Sequence, residues 1–229
     1  KDVVVALGGG IIQDIVSLTT KVYLRGVDHY LIPTTLLSMS DSSIGAKCGI
    51  NYKDKKNQIA VFNSPSGVLQ NLIFLETLKE SDIISGVGEI VKLLITSTER
   101  DFIFLEDNIN SAIDNTSEFG DLIMKSLLSK KEVIEEDEYE ANYRRVLNYG
   151  HTLGHAVESL SDYSIPHGVG VLWGMDIMNF IALKRGFMSV DLYERINNLI
   201  MKIYDISVIK VESYTKLLDF VKKDKKVEG

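Results

Sequence analysis

Apolar residues run without a break at the start of the chain, and further along they recur at intervals of three and four. Residues 2–7 are apolar on both faces from Val3 to Leu7, which is typical of a buried parallel strand. A glycine turn at residues 8–10 follows, the spacing over residues 11–24 predicts a helix, and residues 29–33 predict a second strand. Strand, helix and strand in this order indicate an α/β region.

The segment after the second strand is polar and irregular. Thr34 and Thr35 can cap a short helix, because a threonine hydroxyl accepts a hydrogen bond from a free N–H group of the first turn. The elements predicted here are a helix from Leu36 and strands near residues 49–52, 58–62 and 68–74.

The pattern changes near Thr77. Apolar residues from Ile83 to Ile95 recur at helical spacing. Further helices are predicted at about residues 101–113, 118–136, 145–161, 167–185, 190–203 and 213–223. We therefore expect an α/β, Rossmann-like part at residues 1–79 and an all-α domain at residues 80–229. The chain opens directly on a buried strand, and a lone strand cannot make a nucleotide-binding sheet. We therefore expect partner strands upstream and a chain that is an internal piece of a longer protein.

Composition excludes several classes of function. A net charge of −7 argues against nucleic acid as the main partner, because phosphate backbones bind basic surfaces. The single cysteine, Cys48, rules out an intrachain disulfide framework and favours a reducing, cytoplasmic location. No signal peptide and no apolar run of membrane-spanning length is present, so we expect no membrane partner.

Glu89, His151 and His167 are candidate metal ligands. Two imidazoles and one carboxylate make a three-ligand zinc site that leaves a position open for substrate. His155 lies four residues after His151, on the same helical face, so spacing alone makes it a possible ligand as well. Each histidine taken singly favours a structural role, and Glu89 with Lys92 favours a surface ion pair; three histidines within 17 residues favour a metal site.

The glycine turn is a candidate phosphate site. Gly8, Gly9 and Gly10 follow a strand and open a helix, where free backbone N–H groups can bind a pyrophosphate. Gln13 stands where the last glycine of a strict dinucleotide fingerprint would fall. A simple tight turn is the alternative.

Several cations and amides complete the set of candidate residues. Each one alone is most simply a solvated surface charge, but together they could clamp a phosphorylated carboxylate. They are Arg25, Lys47, Lys56, Asn57, Lys130, Arg144 and Arg145.

These motifs, in this order, closely resemble the 3-dehydroquinate synthase family from Val3 to Lys226. The motifs are Gly8-Gly9-Gly10 with Asp14, Pro33-Thr34-Thr35-Leu36-Leu37, Asp41-Ser42-Ser43, Lys56-Asn57, Glu89 with Lys92, Asn148-Tyr149-Gly150-His151-Thr152-Leu153-Gly154-His155, and His167-Gly168. The resemblance implies conversion of 3-deoxy-D-arabino-heptulosonate 7-phosphate to 3-dehydroquinate and phosphate in the shikimate pathway. It implies tightly held NAD and a divalent metal, zinc or cobalt, and a route of transient oxidation, phosphate elimination, reduction and intramolecular aldol closure.

The resemblance also implies a role for each motif residue. The helical domain becomes the metal- and substrate-binding domain, and a homodimer is expected because Arg25 resembles an arginine that reaches the neighbouring subunit's site. The implied metal ligands are Glu89, His151 and His167. The implied NAD-site residues are Gly8, Gly9, Gly10, Asp14, Thr34, Thr35, Lys47, Lys56, Phe74 and Thr77. The implied substrate-site residues are Asp41, Lys47, Asn57, Lys92, Lys130, Arg144, Asn148, His155 and one of Lys225 and Lys226.

The chain departs from the family pattern at Gln13, Ala46, Cys48, Lys55 and Val169. Val169 stands where a glutamate commonly follows His-Gly, which removes a possible partner for the metal ligands. Three alternatives stay open beside the resemblance. They are another sugar-phosphate cyclase (for example one acting on sedoheptulose 7-phosphate), a metal-dependent polyol dehydrogenase of the same broad fold, and a degenerate binding protein without activity.

Overall fold

The computed structural model describes residues 2–52, 55–211 and 213–223, with the side chains of residues 55, 56 and 223 outside that description. The strands are β1 Val4–Gly8, β2 His29–Pro33, β3 Lys47–Tyr52, β4 Lys55–Phe62 and β5 Gly67–Val68. The helices are α1 Gly10–Val22, α2 Glu80–Ile95, α3 Glu99–Asp114, α4 Phe119–Glu136, α5 His151–Leu160, α6 His167–Lys184, α7 Val190–Ile203 and α8 Tyr214–Lys223.

The α/β part contains a small parallel sheet with β2 in the middle. β1 pairs with β2 from Val4 against His29 to Gly8 against Pro33, and α1 connects the two strands. β5 lies on the other side of β2. The expected strand, helix and strand are confirmed, and they bring the glycine turn to the carboxyl end of β1 beside Pro33.

Two elements of this part differ in length from expectation. The strand expected at residues 68–74 is wrong beyond Val68, because a 3-10 helix runs over Leu72–Thr77. The Asn71 side chain accepts a hydrogen bond from the Ile73 N–H group at 3.0 Å, and this local bond starts a helical turn instead of a strand. The strands expected at 49–52 and 58–62 are confirmed as the antiparallel pair β3 and β4, both slightly longer.

The helix expected to begin at Leu36 is a short π-helical segment at Ser38–Ser42 preceded by one helical turn. Thr35 caps it as expected, because its hydroxyl accepts from the Ser38 N–H group at 3.2 Å. This segment ends in the polar loop that carries Asp41.

The helical part matches the expected elements with one exception. Residues 145–161 were expected to form one helix, which is wrong: a 3-10 helix at Tyr143–Asn148 ends before Gly150, and α5 begins at His151. Gly150 has a φ of 76°, a left-handed conformation that breaks the helix. A Cβ atom on Gly150 would lie 2.7 Å from the Val171 carbonyl oxygen, so only glycine fits where α5 meets α6.

One apolar core joins the two parts of the chain. Leu36 from the turn before the π-helical segment, Met39 from that segment and Leu75 from the 3-10 helix are buried in the same cluster as residues of α2, α3, α5 and α6. A set of charged side chains is buried beside this core, including Glu89, Lys92 and Lys130. Buried charges are costly unless they are paired, so they mark where chemistry is concentrated. No helix of the described residues is both long enough and apolar enough to cross a membrane.

Candidate active site

Close helix crossings at glycines position the three candidate metal ligands. A Cβ atom on Gly88 would lie 2.4 Å from the Gly168 carbonyl oxygen, so α2 and α6 touch backbone to backbone. Gly150 also lies against the α6 backbone, where a Cβ atom would be 2.7 Å from the Val171 carbonyl oxygen. Each ligand is the chain neighbour of one of these glycines: Glu89, His167 and His151.

The three side chains converge on one point. Glu89 is 1% exposed, and its Oε1 lies 3.0 Å from Nε2 of His167 and 3.4 Å from Nε2 of His151. In a tetrahedral site with bonds of about 2.1 Å, neighbouring ligand atoms are about 3.4 Å apart. The spacing of these three atoms therefore fits a metal ion of zinc size.

The outer nitrogen of each histidine ring already has an acceptor. Nδ1 of His151 lies 3.2 Å from the Tyr149 carbonyl oxygen, and Nδ1 of His167 lies 2.7 Å from Oε1 of Glu158. An Nδ1–H group held by an acceptor leaves Nε2 as the metal-binding nitrogen. Sequence reasoning missed Glu158, although it lies seven residues after His151 on the same face of α5.

The electrostatics of this cluster also fit a cation. Burial would raise the pKa of Glu89, but Lys92 and His151 outweigh burial and hold that pKa well below its usual range. Burial would lower the pKa of His167, but the contacts with Glu158 and Glu89 raise it to about 9. Within the described residues, neither Glu89 carboxylate oxygen has a partner in good hydrogen-bond geometry. A carboxylate that lies between two imidazole nitrogens in this way is suitably placed to be a metal ligand.

His155 lies beside the ligands. Its ring centroid is 5.3 Å from that of His151 and 5.6 Å from that of His167. Among the described residues, the possible ligand atoms of the three histidines lie within 4.8 Å of one another. The structure therefore brings together all the histidines that spacing had suggested.

A second cluster of buried charges surrounds Asp41. The Lys130 ammonium lies 3.1 Å from Oδ1 of Asp41, and the Lys92 ammonium lies 3.9 Å from the same oxygen and 2.5 Å from Oε2 of Glu89. Burial would raise the pKa of Asp41, but the two lysines lower it. Burial lowers the pKa of Lys130, against the effect of Asp41. Lys92 links the metal cluster to this charge cluster.

Glu140 is a second residue that sequence reasoning missed. It pairs with the Lys47 ammonium, and its Oε1 accepts a hydrogen bond from the Asn148 amide at 2.7 Å. Its φ of 60° is left-handed, which is uncommon and strained for a non-glycine residue. Only its position between Asp137 and Arg144 could have drawn attention to it in the sequence.

Arg144 ties the helical part to the polar loop. Its guanidinium donates to the Gly45 carbonyl oxygen at 2.9 Å and to the Glu138 carbonyl oxygen. Its own N–H group donates to the Asp137 carboxylate at 3.0 Å. The expected clustering of Arg144 with the loop of Asp41 to Lys47 is therefore present.

The glycine turn lies at the open N-terminus of α1. The Thr34 N–H group donates to the Gly8 carbonyl oxygen at 3.2 Å, and a Cβ atom on Gly9 would lie 3.0 Å from the Thr35 side chain. No side chain among the described residues caps this helix at Gly9, so its first N–H groups can donate hydrogen bonds to an anion. A Cβ atom on Gly10 would lie 3.5 Å from the Ser42 hydroxyl oxygen.

Gln13, a departure from the family pattern, is buried and joins α1 to the polar loop. Its Oε1 accepts a hydrogen bond from the Ser42 hydroxyl at 2.9 Å. Its Nε2 and the Ser43 hydroxyl are buried without a partner among the described residues. Ala46 and Cys48, two further departures, line the same small cavity, so three of the five departures lie together.

Other expected site residues are not joined to these clusters by contacts in the described part of the chain. Arg25 is exposed in the 3-10 turn Tyr23–Arg25, and Asn57 is exposed in β4. Thr77 is exposed, and Phe74 packs on the core. The Lys56 side chain and both Lys225 and Lys226 lie outside the described residues.

Comparison with known proteins identifies the class. A model of the 3-dehydroquinate synthase N-terminal region matches residues 1–85, and a model of the 3-dehydroquinate synthase C-terminal region matches residues 86–227. The chain belongs to the 3-dehydroquinate synthase family.

A curated relative agrees with this assignment. The 3-dehydroquinate synthase of Dictyoglomus turgidum is 37% identical over 226 residues, which is 98% of this chain and 63% of the relative. The chain thus spans somewhat less than two thirds of the length of the relatives that it matches.

Solved structures of sugar-phosphate cyclases share the fold. A 2-deoxy-scyllo-inosose synthase complexed with carbaglucose-6-phosphate, NAD⁺ and Co²⁺ matches with a TM-score of 0.89 and 27% identity, over 97% of this chain and 61% of that chain. The 2-epi-5-epi-valiolone synthase of Streptomyces hygroscopicus, with NAD⁺ and Zn²⁺ bound, matches with a TM-score of 0.84 and 27% identity, over 95% and 62%. An iron-containing alcohol dehydrogenase, at 14% identity and a TM-score of 0.67 over 100% and 70%, shares the fold alone.

Proposed function

We propose that the protein carrying this chain is a 3-dehydroquinate synthase, which converts 3-deoxy-D-arabino-heptulosonate 7-phosphate to 3-dehydroquinate and phosphate. The convergence of Glu89, His151 and His167 beside the buried cations Lys92 and Lys130 is the main support. A metal-ligand set and adjoining cations suit a substrate with several hydroxyl groups, a carboxylate and a phosphate. The family membership favours this substrate.

Glu89, His151 and His167 would hold the metal, and the glycine turn at Gly8–Gly10 would hold the pyrophosphate of NAD. Bound metal would acidify and orient the substrate hydroxyl groups, and bound NAD would accept and return a hydride. The remaining nucleotide contacts would come from Asp14, Thr34, Thr35, Lys47, Lys56, Phe74 and Thr77. The zinc and cobalt of the cyclase structures make either metal a candidate here.

The buried lysines orient the substrate in this proposal. Lys92 and Lys130 pair with Asp41, and an anionic substrate group entering this cluster would share their ammonium groups. Arg144 and Asn148 are held by backbone carbonyl groups and by Glu140, so their donors are oriented before substrate binds. His155, beside the metal ligands, is the residue that we assign to proton transfer.

A second candidate is another sugar-phosphate cyclase, because the two cyclase structures share the fold over at least 95% of this chain. One of these enzymes is a valiolone synthase and the other is an inosose synthase, and neither product is 3-dehydroquinate. The substrates of the two candidate functions differ in a carboxylate, which 3-deoxy-D-arabino-heptulosonate 7-phosphate has and sedoheptulose 7-phosphate lacks, so the test compares these two compounds. A polyol dehydrogenase is disfavoured, because a neutral polyol does not require the cations around Asp41.

We also propose a homodimer in which Arg25 reaches the neighbouring subunit's site. Tyr23, Leu24 and Arg25 are exposed on a turn whose last two residues have positive φ, so their side chains are accessible to a partner. Sedimentation of wild type and Arg25→Ala, with phosphate-release assays of mixed subunits, tests this proposal.

Two further proposals are a domain boundary near residue 79 and a cytoplasmic location. Limited proteolysis tests the boundary, and cell fractionation tests the location.

The function is tested by phosphate release from the intact protein. We expect release from 3-deoxy-D-arabino-heptulosonate 7-phosphate, none from sedoheptulose 7-phosphate, loss of release with a chelator, and no net NADH accumulation. Release only from sedoheptulose 7-phosphate would favour the second candidate, and net NADH would favour a dehydrogenase. No chelator-sensitive release from any of these substrates would refute both cyclase proposals.

The ligand set is tested by removing one ligand at a time. His167→Ala and Glu89→Ala should lose bound metal and activity together, as measured by metal content and phosphate release. A matched control is His29→Ala: His29 is a buried histidine in β2 that contacts Ser17, and its removal should leave the metal content unchanged. A ligand variant with full metal content would remove that residue from the set.

A further inference from the structure

Glu158 lies on the same face of α5 as two of the site histidines. His151, His155 and Glu158 stand at positions i, i+4 and i+7 of one helix, which places them in one row. Gly154 and Gly170 let α5 approach the first turns of α6: a Cβ atom on Gly154 would lie 3.0 Å from the Gly170 carbonyl oxygen. This approach brings Glu158 within reach of α6.

His167 at the start of α6 is held between two buried carboxylates. Oε1 of Glu158, a residue that is 4% exposed, lies 2.7 Å from Nδ1 of His167. On the other side of the ring, Nε2 lies 3.0 Å from Oε1 of Glu89. The ring is therefore fixed at both nitrogens, and the nitrogen that faces Glu89 is the one that would bind a metal.

Position 169 does not supply such a carboxylate in this chain. Val169 is 1% exposed and lies in the apolar core. Among the described residues, Glu158 is the acidic side chain that meets the outer nitrogen of His167.

We propose that Glu158 is the positioning residue for His167 in the metal centre, holding the ring so that its Nε2 atom points at the metal. This inference rests on the metal site of the proposed function. A carboxylate that accepts from Nδ1–H fixes the ring orientation and makes Nε2 a stronger ligand. Loss of such a partner typically weakens metal binding by about 10- to 100-fold.

The test measures zinc affinity by competition with a chromogenic chelator, so that it does not depend on turnover. Glu158→Ala removes the acceptor of the hydrogen bond and should weaken zinc binding by up to about 100-fold. Glu158→Gln keeps an acceptor oxygen but removes the charge, so it should weaken binding by about tenfold. Both variants should change the visible absorption of the cobalt-loaded protein, which reports ligand geometry directly.

Asp176→Asn is the matched control. Asp176 is on α6, the helix of His167, and its carboxylate also accepts a side-chain hydrogen bond, from Asn197 at 2.8 Å. Its zinc affinity and cobalt spectrum should equal those of the wild type. Near-ultraviolet circular dichroism of the metal-free variants verifies folding, and if Glu158→Ala does not fold, Glu158→Gln decides.

Wild-type zinc affinity and an unchanged cobalt spectrum in the folded Glu158 variants would overturn the proposal, even if the wild type releases phosphate. The role of Glu158 and the proposed reaction can also fail separately in the other direction. Weakened zinc binding in these variants, without phosphate release by the wild type, would support the role of Glu158 and refute the proposed reaction. A wild type that binds no zinc or cobalt would overturn this proposal and the metal site together.

Discussion

Two lysine–glutamate ion pairs occur in the candidate site, and their surroundings differ. Lys92 and Glu89 lie 2.5 Å apart on α2, with side chains that are 4% and 1% exposed. Lys47 and Glu140 join the β3 strand to the segment after α4, with side chains that are 41% and 24% exposed. The first pair is buried among helices that touch at glycines, and the second lies on the more open, polar side.

The difference in exposure indicates that the Lys92–Glu89 pair stabilises the site, whereas the Lys47–Glu140 pair can rearrange when a substrate binds. A buried charge that loses its partner costs several kcal/mol, whereas an exposed pair contributes about 0–1 kcal/mol, because water replaces the partner. We call the surroundings of Lys92 and Glu89 the metal side of the site, and those of Lys47 and Glu140 the loop side. The metal side should therefore be coupled to the stability of the fold, whereas the loop side should be coupled mainly to substrate binding. Four substitutions test this contrast through the free energy of unfolding.

Lys92→Met should have the largest effect. It leaves the Glu89 and Asp41 carboxylates buried without their shared ammonium group, and we expect a loss of about 3–5 kcal/mol. Urea unfolding in the presence of a chelator measures the loss without a contribution from bound metal. A loss below about 1 kcal/mol would show that the metal side is no more coupled to stability than an exposed pair.

Gly168→Ala should come next. The added Cβ atom would lie 2.0 Å from the Ser85 carbonyl oxygen, so α2 and α6 must separate, and we expect a loss of about 3 kcal/mol together with weaker zinc binding. Gly120→Ala in α4 is the control. Its nearest contact would be Leu72 Cδ1 at 3.4 Å, and alanine in place of glycine should stabilise the helix by up to about 1 kcal/mol. Equal effects of the two substitutions would contradict the role of the glycine crossing.

Gln13→Gly should have an intermediate effect. It removes the hydrogen bond from Ser42 and introduces a flexible residue into α1, so we expect a loss of about 1–2 kcal/mol. Ser42→Ala completes a double-mutant cycle with an expected coupling of about 1 kcal/mol. Strict additivity would show that this hydrogen bond does not hold the polar loop against α1.

Lys47→Met should have the smallest effect on stability, below about 1 kcal/mol, because water can solvate Glu140 in its absence. Its effect on function should be larger. A charged hydrogen bond to substrate contributes about 1.5–3 kcal/mol, so phosphate release should fall roughly ten- to hundredfold. A stability loss as large as that of Lys92→Met would remove the contrast between the two sides.

Most helices could be predicted because their apolar spacing is local information. The helix expected at residues 190–203 is α7 at the same residues, and the strands of the antiparallel pair were also found. Predictions were wrong where one hydrogen bond between a side chain and the backbone, or one dihedral angle, decided the outcome. The Asn71 side chain began a 3-10 helix in place of a strand, and left-handed Gly150 divided an expected helix in two.

The candidate ligands were found in the sequence because histidine is rare in this chain and three of the four occur close together. Glu158 and Glu140 were missed for the opposite reason, since acidic residues are common and most lie on the surface. Their contacts with His167 and with Lys47 and Asn148 depend on how separate elements pack. The roles assigned to the individual site residues all stay predictions, including those of Arg25, Asn57, Phe74 and Thr77.

The sequence by itself determined the order of elements, the family and the residue types available for chemistry, because these depend on local spacing and on motifs. Only the tertiary structure decided which charges are buried together and which carboxylate holds which histidine. The physical reason is that Glu89 and His167 are 78 residues apart in the chain, and their contact depends on α2 and α6 crossing at Gly88 and Gly168. The energy of a buried charge depends on such neighbours rather than on its own residue type.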